Sequence, residues 1–358
     1  MLTAPRSASP RAQPPTTRVA VVIPIPNDPD WSIFAELSED VPIIVVDDSD
    51  GKLAPAPRRN MRFFDYAAQR AVMGANYSAI PHKSAATRNF GHYLAYKEGF
   101  EVIVALDYDC RPRAGWLEEH LASLGRIENA PALTGKWINS ISAPGFYARG
   151  YPYEYRNPED GAVTEATATG EVKVNMGLWD NVLDLNGVDK LQRAAPSEPG
   201  VRGDRNHVAL GNIPVCGMNI AFRAELTPAY FFLPDVRVDG WQLSRHDDIW
   251  GGYVLKKLMD KRGDLFAYGR PIVEHTKQTN LNRVIVLEHY VHLMSGEFYA
   301  IVDEAAEAVA PGDYAQTFAH FTEEYRRRLE LSGAPAHYRQ VYRELGDAMQ
   351  RWVDCFRS

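Results

Sequence analysis

Two carboxylates separated by one residue, Asp107 and Asp109, close the apolar run Val102-Ile103-Val104-Ala105-Leu106. A run this short, β-branched at its first three positions and bounded by polar residues, suits a strand buried on both faces of a parallel sheet. Open α/β sheets bind ligands at the carboxyl ends of their strands. Both acids would then face a cleft, where a hard divalent cation bound to phosphate oxygens would neutralise them. The same acids also suit an N-cap and a turn before a helix over Pro112–Leu124. The acid-x-acid spacing is too short to choose between the two.

Further reactive side chains recur at similar junctions. Arg245-His246-Asp247-Asp248 opens a helix running to about Lys261. Its two acids fit the positive end of the helix dipole, or place a carboxylate over a sugar with Arg245 nearby. Arg149 stands among Phe146, Tyr147, Tyr151 and Tyr153, a setting for stacking or for pairing with an anion. Lys83 and Arg88 lie at the start of a helix over Ser84–Lys97 that Ser84 can cap, and a helix amino end attracts anions. His275 follows a strand over Phe266–Val273 and offers a third metal ligand or an ordinary loop histidine. Asp48 and Asp50 follow a second buried strand, where an acid can meet a ribose or base. Asn219 is a lone amide in the apolar stretch Val215–Phe222.

The elements that must position these groups alternate as strand, loop and helix. Arg18–Pro24 reads as the first buried strand and ends in a turn beginning at Pro24. A short helix over Trp31–Leu37 leads to a strand over Val41–Val46, and the Ser84–Lys97 helix leads to Val102–Leu106. Three strands with helices between them make a Rossmann-like half. Further strands are expected at Leu133–Ile138, Glu171–Asn175 and Val215–Phe222, with a long loop over Pro196–Asn212. From Asn282 the chain turns helical. Tyr314, Phe318, Phe321, Tyr325 and Leu329 form one apolar stripe, and Tyr338 to Phe356 form another. These stripes suit packing on the α/β body or self-association as a homo-oligomer. The expected division is a disordered tail over 1–17, an α/β catalytic domain over 18–282 and a helical region over 283–358.

Composition narrows the partners. The formal net charge of −7 argues against a nucleic-acid or anionic-membrane binder, which carries a basic excess. The three cysteines, Cys110, Cys216 and Cys355, are odd in number and far apart, as in a reducing compartment. No apolar run approaches the roughly 20 residues of a membrane span, and no signal-peptide pattern opens the chain. The expected location is the cytoplasm.

Read in order, several of these segments resemble one family. They are Val45-Val46-Asp47-Asp48-Ser49-Asp50, Lys83 with Arg88-Asn89-Phe90-Gly91, Leu106 to Cys110, Arg149-Gly150-Tyr151-Pro152-Tyr153, Gly177-Leu178-Trp179, Cys216 to Phe222, Arg245 to Trp250, and His275-Thr276-Lys277. The chain resembles the reversibly glycosylated polypeptides, or UDP-arabinopyranose mutases. The resemblance implies a glycosyltransferase-A type fold, a UDP-sugar substrate and a divalent cation, Mn²⁺ or Mg²⁺. It implies Asp107 and Asp109 as metal ligands, joined here by His275. It implies Arg149 as a site of reversible self-glycosylation, with Asp247 and Asp248 as its catalytic neighbours. Nucleotide-sugar contacts are expected from Pro24, Asp48, Asp50, Lys83, Arg88, Asp107, Tyr108, Trp179, Asn219 and Arg245. Two departures stand out: Tyr108 replaces the middle acid of the family's triple-Asp motif, and His246 replaces a tyrosine. A metal-dependent glycosyltransferase acting on a small-molecule or polymer acceptor, and a non-catalytic partner subunit, are the competing readings.

Overall fold

Continuous apolar runs belong in a sheet covered on both faces, and Val19–Ile25 (β1) and Ile43–Asp47 (β2) are buried at every position. Met61–Phe64 (β3) and the fully buried Val102–Leu106 (β4) complete a parallel set in the order β3-β2-β1-β4. The computed structural model describes residues 17–53, 58–142, 145–157, 159, 161–192, 205–276, 280–310 and 312–357. The expected tail, apart from Thr17, and the expected long loop up to residue 204 lie outside the described residues.

The sheet continues through Cys110–Arg111 (β5), Gly125–Thr134 (β6), Thr164–Asn181 (β7), His207–Ala209 (β8), Asn219–Arg223 (β9) and Leu265–His275. A separate hairpin of Val236–Val238 (β10) and Trp241–Leu243 (β11) precedes that last strand, β12. The ten strands run β3-β2-β1-β4-β9-β7-β6-β8-β12-β5. β9 pairs antiparallel with β4, so the sheet is mixed. β7 is shared: its first half pairs with β6 and its second half with β12. Helices Tyr66–Met73 (α1), Asn89–Lys97 (α2), Trp116–Ala122 (α3), Gly187–Gln192 (α4) and Asp247–Arg262 (α5) accompany the sheet. Leu281–Ala308 (α6), Tyr314–Leu331 (α7) and Ala336–Asp354 (α8) form the C-terminal helices. A large mixed sheet flanked by helices, with a helical C-terminal region, is consistent with a glycosyltransferase-A-like fold. No described helix is long and apolar enough to cross a membrane.

Several elements differ from the sequence expectations for identifiable reasons. Val215–Met218 is not strand. The Gly217 N–H donates to Asp248 and its carbonyl accepts from Arg88, so these backbone groups serve side chains rather than a ladder. β7 runs well past Asn175, because Gly177 leaves room for the Asn219 amide; a Cβ there would lie 2.3 Å from its nitrogen. β6 begins before the expected Leu133, in a stretch whose exposed residues hide any apolar pattern. β3 and α1 were not expected, since α1 buries only Gln69 and Met73 and is started by Asp65, which caps Ala68 N at 2.8 Å.

The C-terminal helices share one apolar core with the sheet. Trp250 of α5 stacks on Phe298 of α6, with ring centroids 4.4 Å apart. Both apolar stripes are largely buried. Trp352 of α8 stacks on Phe231 at 5.2 Å and donates its indole N–H to the Pro228 carbonyl at 3.1 Å. Trp352→Ala should therefore lower the unfolding free energy by about 3–5 kcal/mol, measured by urea titration of the full chain. A loss below about 1 kcal/mol would show that α8 contributes little to the fold.

Candidate functional site

The carboxyl ends of β1, β2 and β4 open onto a cleft, at the point where the strand order reverses around β1. Backbone pairing assembles one wall. β5 pairs with the end of β12, setting Cys110 beside His275, and Thr276 donates to the Asp109 carbonyl through both its N–H and its hydroxyl at 3.0 Å. Residues far apart in sequence, Asp107, Tyr108, Asp109 and His275, thus line one cavity of about 230 Å³. His275 is the last residue of β12 rather than a residue beyond it. Its Nδ1 lies 2.7 Å from the Val182 carbonyl. A carbonyl only accepts, so Nδ1 carries a proton, which leaves Nε2 as the ring nitrogen that could meet a metal.

At the other wall, Arg149 is buried between two acids. Its Nε donates to Asp184 at 2.8 Å, its Nη2 to Asp248 at 2.6 Å and its Nη1 to the Arg245 carbonyl at 2.7 Å. Burial alone would favour deprotonation, but Asp184 and Asp248 outweigh it and hold the guanidinium pKa well above its ordinary value. Burial opposes ionisation of Asp184, yet Arg149 and Arg245 keep its pKa low. Gly150 makes this placement feasible. It has φ +84°, and a Cβ would lie 2.7 Å from the Ile249 side chain of α5. Removing one acid would strand a buried charge, a loss of about 3–5 kcal/mol.

Arg88 occupies the floor. It donates to Asp107 at 2.7 Å, to the Gly217 carbonyl at 2.6 Å and to the Ala85 carbonyl at 2.9 Å. Arg245 bonds Glu288 of α6 at 2.6 Å and reaches Asp184 at 3.4 Å, so a C-terminal helix contributes to the site. Asp247 opens α5 beside Asp248. Among the described residues its carboxyl accepts no hydrogen bond, and it faces the cavity. Burial first, and then the Asp248 charge, push its pKa well up, so it holds its proton to higher pH than an ordinary carboxyl.

A second cavity, of about 190 Å³, adjoins the first and shares Ala85, Arg88, Asp107 and Tyr108 with it. Pro24, Pro26, Asp48, Lys83, Ser84 and Thr87 complete it. Asp48 accepts from Lys83 N, Ser84 N and the Tyr66 hydroxyl at 2.9, 3.1 and 2.9 Å, so it fixes the loop bearing Lys83. Tyr108 accepts from Asn27 at 3.4 Å and stands where the two cavities meet. Together they give an elongated site with an apolar, proline-lined end and a strongly charged end.

Three expected contacts lie elsewhere. Asn219 is a structural hub: it accepts from Trp116 at 2.8 Å, contacts His120 at 2.9 Å and donates to the Leu178 and Pro271 carbonyls at 3.0 Å. Its side chain is on the face of β9 packed against α3, away from the cleft. Trp179 is buried in β7 and lines neither cavity. Asp50 is exposed in the turn after β2 and lines neither. Sequence reasoning also missed Asp184, Lys190, Cys216 and Met218, all of which line the charged cavity. The acid in Val182-Leu183-Asp184-Leu185 was the available signal, since a lone acid among apolar residues calls for a buried partner.

Among the described residues, no three His, Cys, Asp or Glu side chains converge where they could hold a metal ion. Asp107 is turned toward Arg88 instead. The donor types at Asp107, Asp109 and His275 nevertheless suit a hard divalent cation.

The sequence profile described as "Reversibly glycosylated polypeptide" matches residues 18–358. The chain belongs to that family. Among curated members of this family's kind, a protein of Solanum tuberosum named probable UDP-arabinopyranose mutase 2 is 26% identical over 88% of this chain and 82% of its own. UDP-arabinopyranose mutase 3 of Arabidopsis thaliana is 28% identical over 73% of this chain and 70% of its own. UDP-arabinopyranose mutase 1 of Oryza sativa subsp. japonica is 26% identical over 78% and 75%. The segments that carried the family resemblance include the arginine-bearing, double-acid and acid-x-acid stretches that line the cleft.

The raised Asp247 pKa sets a pH dependence of stability. The unfolded carboxyl loses its proton near pH ~4, whereas the folded one retains it to higher pH, so stability falls as pH rises between those values. Asp247→Asn mimics the protonated form. Its unfolding free energy should exceed that of the wild type at about pH 7.5 and converge on it near pH ~4. Identical slopes for the two proteins would contradict the assignment.

Proposed function

We propose that this protein is a UDP-sugar mutase that interconverts the pyranose and furanose forms of a UDP-pentose through a sugar held on Arg149. The observation that carries the reading is the buried Arg149, fixed by Asp184 and Asp248 and facing a cleft that also contains a protonated Asp247. The names of the relatives support the substrate class. The proline-lined cavity suits the nucleoside, and the charged cavity suits the diphosphate and sugar.

The chemistry follows from the residue types. An Arg149 nitrogen attacks the anomeric carbon, forming a C–N bond as the C–O bond to the β-phosphate breaks and its electron pair leaves with UDP. A guanidinium is a poor nucleophile until it sheds a proton, and Asp248, 2.6 Å from Nη2, takes it. Asp247 then protonates the ring oxygen as the ring opens. It recovers a proton from the other hydroxyl as the ring closes at its new size. Attack by the UDP β-phosphate oxygen on the anomeric carbon, with return of the proton from Asp248, frees Arg149. A cation on Asp107, Asp109 and His275 would neutralise charge on the departing diphosphate.

Incubation with UDP-arabinofuranose and with UDP-arabinopyranose, followed by chromatographic separation, tests the reading. The wild type should give both ring forms from either substrate, and Arg149→Lys should fall by at least about 100-fold, as expected when a group acting only in the transition state is removed. UDP release without ring interconversion would favour the transferase reading. No turnover of either ring form would remove the mutase reading.

A further inference from the structure

Four cationic side chains line the charged cavity: Arg88, Arg149, Lys190 and Arg245. Three have their partners within the protein. Arg88 holds Asp107, Arg149 holds Asp184 and Asp248, and Arg245 holds Glu288 and Asp184. Lys190 differs. It is 4% exposed, yet among the described residues its ammonium makes no hydrogen bond and no ion pair. Its nitrogen is also absent from the fully enclosed polar atoms that lack a partner, so it opens into the cavity it lines.

The segment that carries Lys190 is firmly held. In α4, Asp189 pairs with Arg156 through both oxygens at 2.8 and 2.7 Å. Gly187 N donates to Glu288 at 2.7 Å, and the Asn186 side chain accepts from Gly150 N at 2.9 Å. The segment is thus tied directly to the residue after Arg149. An ammonium fixed in this way, desolvated and with no acid in direct contact, is costly unless an anion completes it. Burial does lower its pKa, and the nearby Arg245 and Arg149 charges add to that effect against Asp184.

We propose that Lys190 binds a phosphoryl oxygen of the donor's diphosphate, on the side of the cleft facing Arg149. The proposal rests on the UDP-sugar reading for the identity of the donor, but the chemistry it requires is only a phosphate-type anion. A lysine ammonium offers three donors and a compact charge suited to this task. In the reaction it holds the leaving diphosphate near the anomeric carbon, ready for the return attack that frees Arg149. It acts by touching the substrate and does not exchange a proton.

Titration calorimetry of the full chain with inorganic pyrophosphate and with UDP, and detection of uridine binding by NMR, test this in wild type and Lys190→Met. Methionine keeps the aliphatic stem and removes the charge. The variant should bind pyrophosphate and UDP at least about tenfold more weakly, a change of about 1.4 kcal/mol, and uridine as the wild type does. Unchanged pyrophosphate and UDP affinities would overturn the proposal, as would an equal loss for uridine. Wild type that binds pyrophosphate through Lys190 but not UDP would uphold the anion site and remove the nucleotide reading. Wild type that binds neither would overturn both. If Lys190→Met does not fold, Lys190→Gln is read against the same criteria.

Discussion

The structure depends on one buried arrangement, the Arg149 guanidinium clamped between Asp184 and Asp248. A charge taken this far out of water is tolerated only with opposite charge in good geometry. That requirement reaches outward. Asp184 must follow the end of β7, Asp248 must stand in the first turn of α5, and Gly150 must let α5 approach. Gly217 gives its N–H to Asp248 and its carbonyl to Arg88, which links the arginine clamp to the acid-x-acid loop across the cleft. Arg245 joins the clamp to Glu288 of α6, so the C-terminal helices are bound into the same electrostatic network.

The clamp bears on the chemical difficulty of the proposed reaction. A guanidinium held at a raised pKa is inert as a nucleophile, yet the same carboxylate that raises it is the nearest proton acceptor. The pairing orients Arg149, and in the proposed reaction it also supplies the base. Asp247, one residue away on the same helix turn, has its pKa pushed well up by burial and by the neighbouring Asp248 charge. Two adjacent acids with different environments can therefore divide the roles of base and acid. Tyr108 stands between Asp107 and Asp109 where the two cavities meet, so no third carboxylate lies there.

Much of the parallel half was legible because β1, β2 and β4 are uninterrupted apolar runs, the last two leading into acids. Type and spacing singled out Asp107, Asp109, Arg149, Asp247, Asp248 and His275, and all six line the charged cavity. Asn219 and Trp179 misled because a polar or aromatic residue within a motif reads the same whether it faces a ligand or a neighbouring helix. The strand expected over Val215–Phe222 failed in its first half because an apolar pattern cannot reveal that backbone groups serve side chains. Lys190 and Asp184 gave little periodic signal. Their importance comes from which charges are paired and which are left without a contact after folding, a property of the assembled cavity.

Intact-mass analysis followed by peptide mapping, after incubation of the chain with a radiolabelled UDP-pentose and Mn²⁺, tests the central claim most directly. The account predicts a single pentose on Arg149, discharged when excess UDP is added. A stable sugar at any other residue, or no adduct while ring interconversion proceeds, would contradict the assignment of Arg149 as the group that holds the sugar.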